Sequence, residues 1–229
     1  MKFINPFLEL SKFELILWLI SILVITFSYI LSPNKDILTI IASLIGVTAL
    51  IFVSKGYVFG QFLTVIFAIF YGIISFYFRY YGEMITYLFM TAPIAVMSMI
   101  SWYKNPYKNT KVVQVNKIIK KHWIILLFLS LIVTIIFYYI LSFLGNSNIV
   151  FSTLSITTSF LASSLTFLRS PYYAIAYSAN DIVLIILWIL ATIENTSYFP
   201  MIICFVMFLL NDLYGYYNWK KLMISQEDI

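Results

Sequence analysis

The chain has 229 residues, 62% of them hydrophobic and 10% charged, with a mean hydropathy of +0.98; soluble domains are about half apolar and about a quarter charged, so the composition indicates a polytopic membrane protein. The net charge of +5 does not point to nucleic acid, because the cations sit in short segments beside apolar runs. Cys204 is the only cysteine and His122 the only histidine, which excludes a disulfide framework and a His/Cys metal cluster within one chain; no cofactor is expected.

The amino terminus, MKFINPFLELSKFELILWLI, lacks an early apolar core followed by a small-residue cleavage pattern, so its first apolar stretch is expected to remain as an anchor. Eight stretches approach the ~20 apolar residues needed to cross the hydrocarbon core. They run from Glu14 to Leu31, Ile37 to Val53, Val58 to Arg79, Glu83 to Tyr103, His122 to Phe143, Ile149 to Leu168, Tyr172 to Ile193 and Tyr198 to Trp219. The breaks carry turn residues: SPNKD, SKG, GNSN, RSP and ENTS.

One connection is long. KNPYKNTKVVQVNKIIKK holds Lys104, Lys108, Lys111, Lys117, Lys120 and Lys121 and no acid, which predicts a cytoplasmic loop. Eight spans then place both termini in the cytoplasm, with Lys2, Lys12, Lys55, Arg169, Lys220 and Lys221 on the same side as the loop and only Lys35 and Arg79 opposite.

Spans two to four and six to eight share a length pattern, and each triplet ends in an aromatic and basic cluster, SWYKN and YNWKK. A shift of 117 residues superposes Trp102 on Trp219 and Tyr71 on Trp188. Span five separates the triplets, so both cross in the same direction, as in parallel repeats about an axis along the membrane normal.

Asn180-Asp181 and Asn211-Asp212 lie within spans seven and eight. A carboxylate there costs several kcal/mol unless it faces a cavity, finds a partner or is protonated. At 100° per residue Tyr177, Asn180, Asp181, Leu184 and Trp188 share one face, and Asn211, Tyr214, Gly215 and Asn218 share another. Two readings follow: polar groups that hold neighbouring helices together, or a ligand site at the repeat interface in which amides and acids read hydroxyls and a Trp or Tyr holds a ring. Gln61, Thr64, Ala68 and Gly72 form a comparable stripe in span three, equally suited to helix packing, and the GxxxG spacing of Gly56 and Gly60 predicts close helix contact. Glu83 and Glu194 read as interfacial. No nucleophile-base constellation, Walker loop, dinucleotide fingerprint or acid-rich metal motif is present, so an enzyme is not expected.

The stretches YYAIAYSANDIVLIILWILA and MIICFVMFLLNDLYGYYNWKK resemble the PnuC family of vitamin transporters, as do STLSITTSFLASSLTFLR, Phe59-Gly60 and ISWY from Ile100 to Tyr103. The resemblance covers about Ile37 to Lys221. It implies an all-α, SWEET-like fold of two three-helix bundles joined by a linker helix, with span one as an addition. The expected divisions are residues 1–36, a first bundle over 37–103, the basic loop 104–121, the linker helix 122–148, a second bundle over 149–221 and a tail 222–229. It also implies facilitated diffusion of nicotinamide riboside, trapping of the vitamin by a cytoplasmic kinase and a trimer in the cell membrane. Together with the polar faces read above, it leads to the expectation of alternating access by rocking of the two triplets about a site comprising Gln61, Thr64, Tyr177, Asn180, Asp181, Trp188, Asn211, Asp212, Tyr214 and Asn218. Relatives of the same fold are assigned to thiamine or deoxyribonucleosides, and a membrane subunit that hands vitamins to an ATPase is the alternative.

Overall fold

The computed structural model describes residues 5–33, 36–77, 80–108, 110–146 and 148–227. Lys2, Lys35 and Arg79 of the charge reading lie outside the described residues. Among those described, eight helices are long and apolar enough to cross a membrane. They are α1 (Lys12–Leu31), α2 (Ile37–Ser54), α3 (Val58–Tyr77), α4 (Tyr81–Lys104), α5 (Lys120–Phe143), α6 (Ile149–Phe167), α7 (Tyr173–Glu194) and α8 (Phe199–Glu227). Each start and stop falls within about two residues of the expected span, except that α8 continues past Trp219 to Glu227.

The helix ends follow from local chemistry. Ser11 caps α1 in a reciprocal box: its hydroxyl accepts from the Glu14 amide at 3.3 Å, and the Ser11 amide donates to Glu14 Oε2 at 2.6 Å. Asp36 caps α2 by accepting from the Leu38 amide at 3.1 Å. α4 is not uniform. Thr86–Thr91 forms a π-helical turn, with the Ala92 amide donating to the Tyr87 carbonyl five residues back. Pro93 follows, and its missing amide makes a widened turn at this point inexpensive.

Six helices close a ring in the order α2, α3, α4, α6, α7, α8 and back to α2. Two triplets compose it. In each triplet the middle helix, α3 or α7, lies between its two neighbours, and the triplets meet through α2 with α8 and through α4 with α6. This is the contact pattern of two repeats about a two-fold axis. α5 packs on α6 outside the ring, and α1 lies against α2 and α8. Glu14 ties α1 down: its Oε2 lies 2.9 Å from Lys55 Nζ, and Oε1 accepts from Tyr214 Oη at 3.0 Å.

The repeats also end alike. α2 closes with the Tyr57 amide donating to the Phe52 carbonyl and a left-handed Gly56 (φ 71°); α6 closes with the Ser170 amide donating to Leu165 and a left-handed Arg169 (φ 59°). Gly56 and Arg169 are 113 positions apart, so the first helices are offset by four residues from the 117-residue match of the others. The basic connection between α4 and α5 straps both ends together: the Val113 amide donates to the Gly56 carbonyl and the Asn116 amide to the Arg169 carbonyl, each at 2.9 Å. Gln226, from the extension of α8, accepts from the Val115 amide at 2.8 Å and donates to the Val113 carbonyl at 3.1 Å.

Candidate functional site

The ring encloses a small cavity between the middle of the bundle and the end that carries the basic strap. α7 supplies Tyr177, Asn180 and Asp181, α8 supplies Phe208 and Asp212, α3 supplies Gln61, Thr64 and Phe67, and the π turn of α4 supplies Tyr87 and Thr91. Neither α1 nor α5 contributes. The volume of about 50 Å³ admits a few water molecules and no vitamin-sized ligand, so the ring is contracted around its polar groups.

Asn180 is 1% exposed. Its Oδ1 accepts from Ser155 at 3.3 Å, Thr158 at 2.9 Å and Ser159 at 3.1 Å. The serine and threonine stripe of α6 therefore exists on that face to satisfy one carbonyl, which orients the amide and leaves its NH₂ towards Tyr87. Asp181 and Asp212 interact directly across α7 and α8, and Asp181 Oδ2 has no hydrogen-bond partner among the described residues. Tyr177 shares a hydrogen bond of 3.1 Å with Ser163. The floor depends on Gly46 of α2, where an added Cβ would fall 2.4 Å from Phe208 and 2.9 Å from Phe67.

Both ends of the cavity are shut by residues that the repeat relates. Towards the strap, the indoles of Trp102 and Trp219 meet with centroids 5.2 Å apart. Trp102 Nε1 donates to the Thr166 carbonyl at 3.0 Å and Trp219 Nε1 to the Val53 carbonyl at 2.9 Å. Their preceding residues act likewise, Ser101 donating to Phe167 at 3.2 Å and Asn218 to Ser54 at 2.8 Å. Thus the third helix of each repeat holds the last carbonyls of the first helix of the other. At the opposite end Trp188 Nε1 donates to Tyr71 Oη at 3.1 Å, and Tyr80 and Tyr198 flank the indole with centroids at 5.2 and 5.8 Å.

This architecture has relatives. The family described as nicotinamide mononucleotide transporter matches residues 36–221. The chain belongs to the nicotinamide mononucleotide transporter family. It is 26% identical over 200 residues to the nicotinamide riboside transporter PnuC of Neisseria mucosa, covering 85% of this chain and 76% of that protein. The corresponding transporter of Haemophilus influenzae is 27% identical over 215 residues, 93% of this chain and 92% of the relative. The crystal structure of the vitamin B3 transporter PnuC shares the fold, with a TM-score of 0.83 and 24% identity over 95% of this chain and 94% of that one. Membership identifies a multi-pass membrane transporter and not an enzyme.

Within this nicotinamide mononucleotide transporter family fold, six of the ten sequence-chosen site residues, Gln61, Thr64, Tyr177, Asn180, Asp181 and Asp212, line one cavity. The other four have different neighbours. Trp188 bonds to Tyr71, Asn218 to the end of α2, Tyr214 to Glu14, and Asn211 Nδ2 to Ser21 at 3.0 Å and the Met207 carbonyl at 2.8 Å. The Asn211, Tyr214 and Asn218 face of α8 thus meets α1 and α2, whereas Asp212 alone turns inward. Glu83 corrects an expectation: it is not interfacial but 3% exposed, because α4 carries it inward against α6. Tyr87 and Thr91 were not singled out. Their signal, a proline two residues on from a threonine in an apolar run, marks a helix irregularity but not its direction.

Proposed function

We propose that this chain carries nicotinamide riboside across the cell membrane by facilitated diffusion, with the vitamin bound in the Asn180 and Asp181 cavity and the two triplets rocking about it. The observation that carries the reading is the convergence of Gln61, Thr64, Tyr177, Asn180, Asp181 and Asp212 on a cavity at the interface of two repeats, where a transporter of this kind binds its solute. The names of the relatives supply the substrate. Asn180 suits a ribose hydroxyl and the aspartates suit further hydroxyls, while the positively charged pyridinium of the vitamin gains from a carboxyl group and from tyrosine ring faces, the latter worth ~0.5 to 2 kcal/mol.

The excess of lysine on the strap supports a cytoplasmic position for it and for both termini. Phosphorylation by a cytoplasmic kinase then traps the vitamin inside. A trimer belongs to the same proposal.

Calorimetry on the detergent-purified protein tests the reading, with nicotinamide riboside, thiamine and a deoxyribonucleoside as ligands. Nicotinamide riboside alone is expected to bind, and Asn180→Ala to abolish it. Selective binding of thiamine or the deoxyribonucleoside would reassign the substrate. Copurification of an ATPase would favour a subunit role.

A further inference from the structure

Glu83 does not line the cavity, yet it is the third residue of α4 and fully inside the bundle. Among the described residues neither of its carboxyl oxygens has a hydrogen-bond partner. Ser155 stands beside it, but that hydroxyl donates to Asn180 Oδ1 at 3.3 Å. Among the described residues the ion pairs, Lys55 with Glu14, Lys111 with Glu9 and Lys117 with Glu227, all lie at the strap end, and Glu83 is at the other. A buried carboxyl group of this kind is costly unless a ligand or proton compensates for it.

Tyrosines lie near Glu83. Tyr71, Tyr80 and Tyr87 stand within its electrostatic reach, and the Tyr71 and Tyr87 rings are 4.4 Å apart at 58°. Ring faces combined with a carboxyl group suit an organic cation, which gains both from the ring quadrupoles and from the charge. The site adjoins the cavity at two points: Tyr87 lines the cavity and follows Glu83 on the same helix, and Ser155 contacts both Glu83 and the cavity amide Asn180. Asp181, by contrast, already faces Asp212.

We infer that Glu83, with the ring faces of Tyr71 and Tyr87, is a subsite for the positively charged ring of the substrate, adjoining Asn180, which holds the hydroxyl-bearing part. The inference rests on the function proposed above and names a residue that determines specificity for cations.

The test uses nicotinamide riboside and its reduced dihydropyridine form, which has nearly the same shape and no charge on the ring. Both are titrated calorimetrically into the wild-type chain and into Glu83→Gln. The wild type is expected to prefer the cation. Glu83→Gln is expected to bind the cation ~10-fold more weakly or worse, as removal of one partner of a desolvated charge contact does, and to bind the neutral form almost unchanged. Glu83→Asp, which keeps the charge, retains the preference and guards against a folding defect in Glu83→Gln. Equal losses for both ligands, or no change in their ratio, overturn the subsite. A wild type that binds neither form overturns the proposed function itself, and the subsite with it.

Discussion

Gly46 and Gly60 show how the same substitution separates site from scaffold. At Gly46 an added methyl meets the Phe208 and Phe67 rings, which can yield only into the cavity. Gly46→Ala is therefore expected to remain folded and lose uptake, measured against its thermal melt. At Gly60 the methyl would sit 2.4 Å from the backbone nitrogen of Val53, and backbone cannot step aside. Gly60→Ala is expected to lose ~1 to 3 kcal/mol of stability, the usual cost of overpacking. Asn180→Ala differs from both: the hydroxyls of Ser155, Thr158 and Ser159 can turn back to carbonyls of their own helix, so binding should vanish while the fold persists. Asn180 and Asp181 were legible in the sequence because polar groups inside an apolar run need compensation. The direction of Asn211, Tyr214 and Asn218 was not, because their partners Ser21, Glu14 and the Ser54 carbonyl are supplied by α1 and α2, far away in the chain.

At the scale of elements, apolar run length and turn residues located all eight spans, since a bilayer fixes both. The 117-residue match was visible because bulky aromatics mark it in α3, α4, α7 and α8. The structure gives those matches a physical meaning: Trp102 touches Trp219 and Tyr71 bonds to Trp188, as equivalent residues do when they flank a two-fold axis. The 113-residue offset of α2 and α6 was hidden, because the equivalence lies in backbone conformation, with Gly56 matching Arg169. The clasp makes a symmetric prediction. Trp102→Phe and Trp219→Phe each lose one buried indole hydrogen bond to the opposite repeat, and each should cost ~1 kcal/mol with similar changes in melting temperature and uptake rate. Clearly unequal effects would show that the repeats do not share the closure.

For the molecule as a whole, the ring is shut at both ends around a cavity too small for its proposed cargo, so passage requires the triplets to part at one end at a time. The strap bonds to the same carbonyl position of both repeats, Gly56 and Arg169, and opening at its end must strain or release one of them. Gln226→Ala, which removes two of the hydrogen bonds that hold the strap to α8, is expected to speed exchange at that end, read as faster uptake at unchanged affinity. Outside the membrane the hydrogen bond from Lys111, 2.6 Å away, holds Glu9 below the usual carboxylate range. That tie is present above the unfolded pKa of Glu9 and lost as pH falls through its lower folded value; since both groups are partly exposed, its effect on stability is small.

The measurement that reaches the central claim is flux of labelled nicotinamide riboside through proteoliposomes with no ion or proton gradient, comparing the wild type with Asn180→Ala. The account predicts that the wild type equilibrates the label across the bilayer and exchanges it for unlabelled vitamin on the other side, and that Asn180→Ala, although folded and inserted, does neither. Equal flux through both proteins, or flux through the wild type only when a gradient is imposed, would contradict it.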